Sequence, residues 1–120
     1  MTSVLADTRA VIGYLCDRTK LSPGVLDAMA AAERTGRLFV SAIALVEVRL
    51  EVAAGNLPQQ VWDRLWEAVT DRQRHLTVLP VDAAVADALG PGGLTGGLTQ
   101  SEQVIAATAL AHELRLVSGV

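Results

Sequence analysis

The sequence predicts an α/β fold, a parallel sheet of about four strands covered by helices on both faces. Three observations carry this. Short apolar runs alternate with longer, helix-patterned segments along the whole chain, the order expected when helices cross over between parallel strands. The composition is 51% hydrophobic, yet Tyr14, Phe39, Trp62 and Trp66 are the only aromatics. The core must therefore be Ala, Val, Leu and Ile, a mix that suits helices laid on a sheet. Finally, Ser3-Val4-Leu5-Ala6-Asp7-Thr8 runs from small and apolar residues straight into an acid. A buried parallel strand delivers a carboxylate to the C-terminal edge of its sheet in this way, and open α/β sheets hold their ligands at that edge. At this point Asp7 has two readings, the N-cap of the following helix or a site residue.

After Asp7, a helix carries Ala10, Val11, Tyr14 and Leu15 at helical spacing and stops near Asp17. Ser22-Pro23 is a strong helix start, a serine cap followed by proline at the first helical position. That second helix spans the Ala-rich stretch Gly24 to Arg34, with Gly36 as its terminal cap. Arg37 to Ser41 reads as the second strand, and Ser41 caps a third helix running to about Ala54 and closed by Gly55. Leu57-Pro58 opens a fourth helix, with Val61, Leu65 and Val69 on one face beside Trp62 and Trp66. Leu76 to Val81 is the third strand, Pro80 falling where it ends. Asp82 caps a short helix through Leu89, and Gly90 to Gly97 is a glycine-rich surface loop without stable internal structure. Thr99 or Ser101 caps the last helix, through His112, and Leu114 to Ser118 is the fourth strand.

The totals bound the function. At 120 residues the chain makes one domain, 1–120. Its longest uncharged run, Leu38 to Val46, is too short to span a bilayer, and its start lacks the regions of a signal peptide. Cys16 is alone, so a disulfide framework and a cysteine zinc site are both excluded. A cytoplasmic protein with no membrane partner is the expectation. The net charge of −3 argues against a broad nucleic-acid-binding surface. It is compatible with an enzyme that takes one phosphodiester into a metal site, because a bound cation changes the local sign. The basic cluster Arg72, Arg74 and His75 reads as a solvated helix end. His75 and His112 lack zinc-ligand spacing, and no nucleophile elbow, P-loop or dinucleotide fingerprint is present.

The acids remain. On the third helix Ile43, Val46, Leu50, Ala53 and Ala54 form an apolar face, and Glu47 falls within it, at about 40° from Ile43. An inward carboxylate is expensive unless paired or bound to a cation. Glu47 is thus a functional acid, half of a buried salt bridge to Arg9, or part of an interface helix. Val48 and Val52 form a second apolar side, which points to a further partner, a second subunit among the candidates. Glu102 shares a face with Ile105, Ala106 and Ala109 in the first turn of the last helix, where an acid also favours the helix dipole. Asp7, Glu47 and Glu102 all sit early in strand-to-helix segments, at the ligand edge. Converging there, they would repel one another unless a hard cation such as Mg²⁺ or Mn²⁺ joined them.

These residues resemble a known family. Val4-Leu5-Ala6-Asp7-Thr8, Val40-Ser41-Ala42-Ile43 with Glu47 following, and Val104 to Leu110 before Leu116-Val117-Ser118 look like a PIN domain. Within that family they are most similar to the VapC-type toxins of bacterial toxin–antitoxin pairs. The resemblance covers nearly the whole chain. It implies a three-layer α/β/α fold and an Mg²⁺- or Mn²⁺-dependent endoribonuclease acting on RNA. It further implies a homodimer held inactive by a cognate antitoxin. Carried over, Asp7 matches the first metal-binding acid, Glu47 the second and Glu102 the third, while Ser118 matches the Ser or Thr preceding the fourth. Thr8 and Arg9 would support the site, Arg9 through the scissile phosphate or by pairing with the acids.

The chain also departs from the pattern. Arg9 stands where a small residue or His is usual, and Glu102-Gln103 replaces an Asp-Arg pair. Val120 occupies the position of the fourth acid, and the family's final strand has no counterpart. Glu113 takes the place of a helix-ending glycine, at a cost of up to about 1 kcal/mol. The expectation is a shortened or catalytically weakened member, with a non-cutting, antitoxin-binding module as the alternative. A third reading, an unrelated flavodoxin-like binding domain, requires Glu47 to point away from Asp7.

Overall fold

The computed structural model describes residues 2–73, 75–94 and 96–119; Arg74 of the basic cluster and Val120 at the fourth-acid position lie outside them. Four parallel strands form the sheet: β1 (Val4–Ala6), β2 (Leu38–Ser41), β3 (Thr77–Leu79) and β4 (Arg115–Val117), in the order β3-β2-β1-β4. β1 is central. Ala6 pairs with Val40 on one side and Val117 on the other. Around the sheet lie α1 (Thr8–Cys16), α2 (Pro23–Thr35), α3 (Ala42–Ala53), α4 (Gln59–Thr70), α5 (Ala83–Leu89) and α6 (Gln100–Ala111).

The helices begin where capping residues stop the preceding segment. Ser22 accepts from Val25 N–H ahead of Pro23, Asp82 accepts from Val85 N–H, and Ser41 caps α3 through Ile43 N–H. A 3-10 turn, Arg18–Lys20, was not foreseen; the Asp17 side chain caps it through Thr19. α6 ends in a Schellman motif, with Leu114 N–H on Ala109 carbonyl at 2.9 Å and Glu113 N–H on Leu110 carbonyl at 3.3 Å. Glu113 takes a left-handed φ of 52° to make it, as its place in the pattern requires.

Alternation along β1 sets the layers. Val4 and Ala6 join a core built with Ala10, Val11, Met29, Ala32, Val48 and Leu65 from α1 to α4. Leu5 faces the other way, onto Ile105 and Ala109 of α6, and α5 packs on α6 with Val85 buried. Two covered faces make the three-layer α/β/α sandwich expected. The chain steps outward from β1 to β2 to β3, then returns to β4 on the opposite side of β1. The order therefore reverses between β1 and β4, and the crevice beyond their C-terminal ends is where such a sheet holds a ligand.

Two expectations change. α3 turns the other way round: Ala44 and Val48 are fully buried, whereas Val46 and Leu50 are 50% and 63% exposed. The helix is apolar on almost every side, so periodicity alone does not select the inward face. Glu47, between Val46 and Val48, is half-buried at the margin and not within a core-facing stripe. The glycine loop is also partly tied down, because Leu94 N–H donates to Gln103 Oε1 of α6 at 3.0 Å. Arg72 and His75 follow the end of α4, where His75 Nε2 lies 3.3 Å from Asp71 Oδ2. Among the described residues no helix is long and apolar enough to cross a membrane.

Candidate active site

Beyond the C-terminal ends of β1 and β4, a cavity of about 330 Å³ is lined by Asp7, Thr8, Arg9, Glu47, Thr99, Glu102 and Ile105. All three acids singled out in the sequence reach it, each by a different route.

Asp7 follows β1 with extended backbone, and its N–H continues the ladder by donating to the Val117 carbonyl at 3.0 Å. Its Oδ1 accepts from Ala10 N–H at 2.8 Å and from Gly119 N–H at 3.0 Å. Asp7 is thus an N-cap and a cavity residue at once. The cap uses Oδ1, the same oxygen that meets Gly119. Glu47 is held by its neighbour across the helix pair: Thr8 Oγ1 donates to Glu47 Oε1 at 2.6 Å. Glu47 therefore turns toward Thr8, the residue that follows Asp7.

Glu102 stands at the third position of α6 in a full capping box. Thr99 N–H donates to its Oε1 at 3.0 Å, and its own N–H donates to Thr99 Oγ1 at 3.2 Å. The Thr99 backbone N–H, then its hydroxyl and the charge of Arg9, hold the Glu102 carboxyl below the usual glutamate range. Arg9 is exposed on the cavity wall and makes no ion pair with Asp7, Glu47 or Glu102. The Arg9–Glu47 salt bridge raised as an alternative is therefore not formed. Ser118 is exposed just past β4 and is not among the residues lining the cavity.

Behind the cavity, a buried polar contact fixes the helices that carry two of the acids. The Thr108 hydroxyl of α6 bonds the Val104 carbonyl at 2.7 Å and lies 3.2 Å from Ser41 Oγ at the start of α3. Both residues are fully buried.

The donors present are hard oxygens. Two half-buried acids each have one oxygen occupied by a structural bond, a set that suits Mg²⁺ or Mn²⁺, which keep several waters and need only one or two carboxylates. Three carboxylates against the single guanidinium of Arg9 also favour a cation electrostatically. The acids are not, however, drawn into one three-ligand cluster: no group of three or more His, Cys, Asp or Glu among the described residues stands ready to hold a metal ion. Glu102, like the other two acids, has one oxygen engaged, its Oε1 accepting from Thr99 N–H. Thr99 reads in the sequence only as one of two candidate caps, and Gly119 is a site feature that the sequence reading missed. The Thr99-x-x-Glu102 spacing was the available signal for the first, whereas nothing local marks the second.

No family model matches the sequence, and no curated protein does. Among solved structures, the chain is similar to a chain of VapBC2 from Rickettsia felis, a complex solved bound to a DNA fragment from their promoter. The match has a TM-score of 0.68 and 15% identity, and covers 95% of this chain and 84% of that one. The likeness is one of fold. It agrees with the PIN-like α/β/α arrangement implied by the sequence resemblance.

Proposed function

We propose that this chain is a divalent-metal-dependent endoribonuclease of the VapC type, neutralised by a cognate antitoxin. The observation that carries the reading is the convergence of Asp7, Glu47 and Glu102 on one cavity at the sheet's switch point. The fold shared with a chain of a VapBC2 complex supports the toxin–antitoxin setting and a protein partner. Pairing with a second copy and residence in the cytoplasm belong to the same reading.

Asp7 Oδ2 and the second oxygen of Glu47 would hold Mg²⁺ or Mn²⁺, each acid steadied through its other oxygen. When bound, such an ion polarises a phosphoryl oxygen and lowers the pKa of a bound water. Glu102, kept ionised by its cap, accepts a hydrogen bond from the attacking water and orients it. Arg9 offers a planar, five-donor group to the phosphate oxygens from the exposed wall. Ile105 supplies an apolar floor.

The test is Mn²⁺-dependent cleavage of structured RNA by the purified protein. The proposal predicts cleavage that Asp7→Ala abolishes; no cleavage by either protein removes the enzyme reading. A second reading, a module that binds antitoxin without cutting, is favoured by the engagement of Glu102 with Thr99. It predicts tight antitoxin binding without stoichiometric Mn²⁺ uptake in a calorimetric titration.

A further inference from the structure

The chain leaving β4 is laid against the start of α1 by a residue without a side chain. A Cβ on Gly119 would lie 2.5 Å from Ala10 N, 2.6 Å from Arg9 C and 2.9 Å from Ala10 Cα. All three are backbone atoms of the first turn of α1, so none can swing aside as a flexible side chain would. Gly119 is not among the glycines of positive φ. Space, and not backbone angle, therefore requires glycine here.

That close approach has a chemical result. It brings Gly119 N–H within 3.0 Å of Asp7 Oδ1, beside the Ala10 N–H at 2.8 Å. The Ala10 bond is what any aspartate N-cap makes, and by itself it leaves the carboxylate plane free to rock. The Gly119 bond comes from a different element, 112 residues away in sequence, and grips the same oxygen from a second direction.

We infer that Gly119 is a positioning residue for Asp7: its missing side chain lets its N–H clamp Oδ1, which leaves Oδ2 as the oxygen offered to the cavity. The inference rests on the proposed metal centre. A larger residue at 119 lifts the segment off α1 and returns Asp7 to an ordinary helix cap. Outer-shell hydrogen bonds of this kind are worth about 10–100-fold in metal affinity.

The experiment titrates Mn²⁺ calorimetrically into three proteins: wild type, Gly119→Ala, and a semisynthetic chain with glycolate in place of Gly119. The last, an ester, deletes the N–H and adds no atom. Both altered proteins are expected to bind Mn²⁺ about 10-fold or more weakly, with melting temperatures little changed. The carboxyl ¹³C resonance of Asp7 should move in both, before any metal is added. Wild-type affinity in either altered protein overturns the inference and leaves the metal centre standing. A wild type that takes up no Mn²⁺ overturns the metal centre, and the inference with it. If Gly119→Ala does not fold, the ester decides.

Discussion

The Thr8 hydroxyl donates a 2.6 Å hydrogen bond to Glu47 Oε1, joining the start of α1 to the middle of α3. It ties a residue adjoining one cavity acid to another, and it accounts for the orientation of a glutamate that periodicity alone left ambiguous. Thr8→Val keeps the shape and deletes the donor. It should lower stability by about 1 kcal/mol and weaken Mn²⁺ binding about 10-fold or more. Thr8→Ser, which restores the hydroxyl, should recover most of both. Urea unfolding and Mn²⁺ calorimetry on the pair read the outcome, and equal affinities for Val and wild type would remove the positioning role.

The orientation of α3 is open to a direct mutational comparison. Val48 is fully buried, whereas Leu50 is 63% exposed, although both are apolar residues of the same helix. Val48→Ala should cost about 1–3 kcal/mol, through lost transfer energy and the small cavity left behind. Leu50→Ser should change the stability of the isolated chain by no more than about 0.5 kcal/mol. Denaturation midpoints that reversed this order would mean the helix is turned the other way.

Glu102 gives a pH signature. Its folded pKa is depressed below the unfolded value, first by the Thr99 N–H and then by the Thr99 hydroxyl. Its charged form thus contributes stability that is fully present above the unfolded glutamate range and is lost as pH falls through the lower folded value. Glu102→Gln keeps an acceptor for Thr99 and removes the charge. It should melt below wild type at neutral pH, the gap closing under acid conditions. Thr99→Ala, which removes the cap itself, should cost about 1 kcal/mol at neutral pH. Thermal melts across pH 3–7 test both.

Glu113 carries a left-handed φ of 52° that glycine adopts without a side-chain penalty. Glu113→Gly should therefore stabilise the chain by up to about 1 kcal/mol, seen as a higher urea midpoint with unchanged slope. A loss of stability would show that the Glu113 side chain contributes more than its backbone strain costs.

Much of this architecture was legible because it is written in local chemistry. Ser22-Pro23, Ser41 and Asp82 stop and start helices by bonds that close within three residues, and the apolar runs between them leave little choice of strand. Glu113 was legible for the same reason, since a helix end demands a particular backbone angle whatever residue occupies it. The inward side of α3 was not, because Ala44, Val46, Val48 and Leu50 differ too little in polarity to choose a face. The acids could be named, but not how each is held. The partner of Glu47 lies 39 residues away and a second partner of Asp7 lies 112 residues away, distances at which sequence pattern carries no information. Glu102 was the exception in the other direction, its capping partner being only three residues upstream.

The reversal of strand order beside β1 has a consequence for synthesis. Asp7, Glu47 and Glu102 have all been translated before β4 exists, and β1 has an open edge until β4 pairs with it. A nascent chain on the ribosome can form α1 with its aspartate cap, yet it has no Gly119 to grip the carboxylate. The arrangement around Asp7 is therefore completed only once Gly119 has left the exit tunnel. Until then the three acids are present without the contact that grips Asp7.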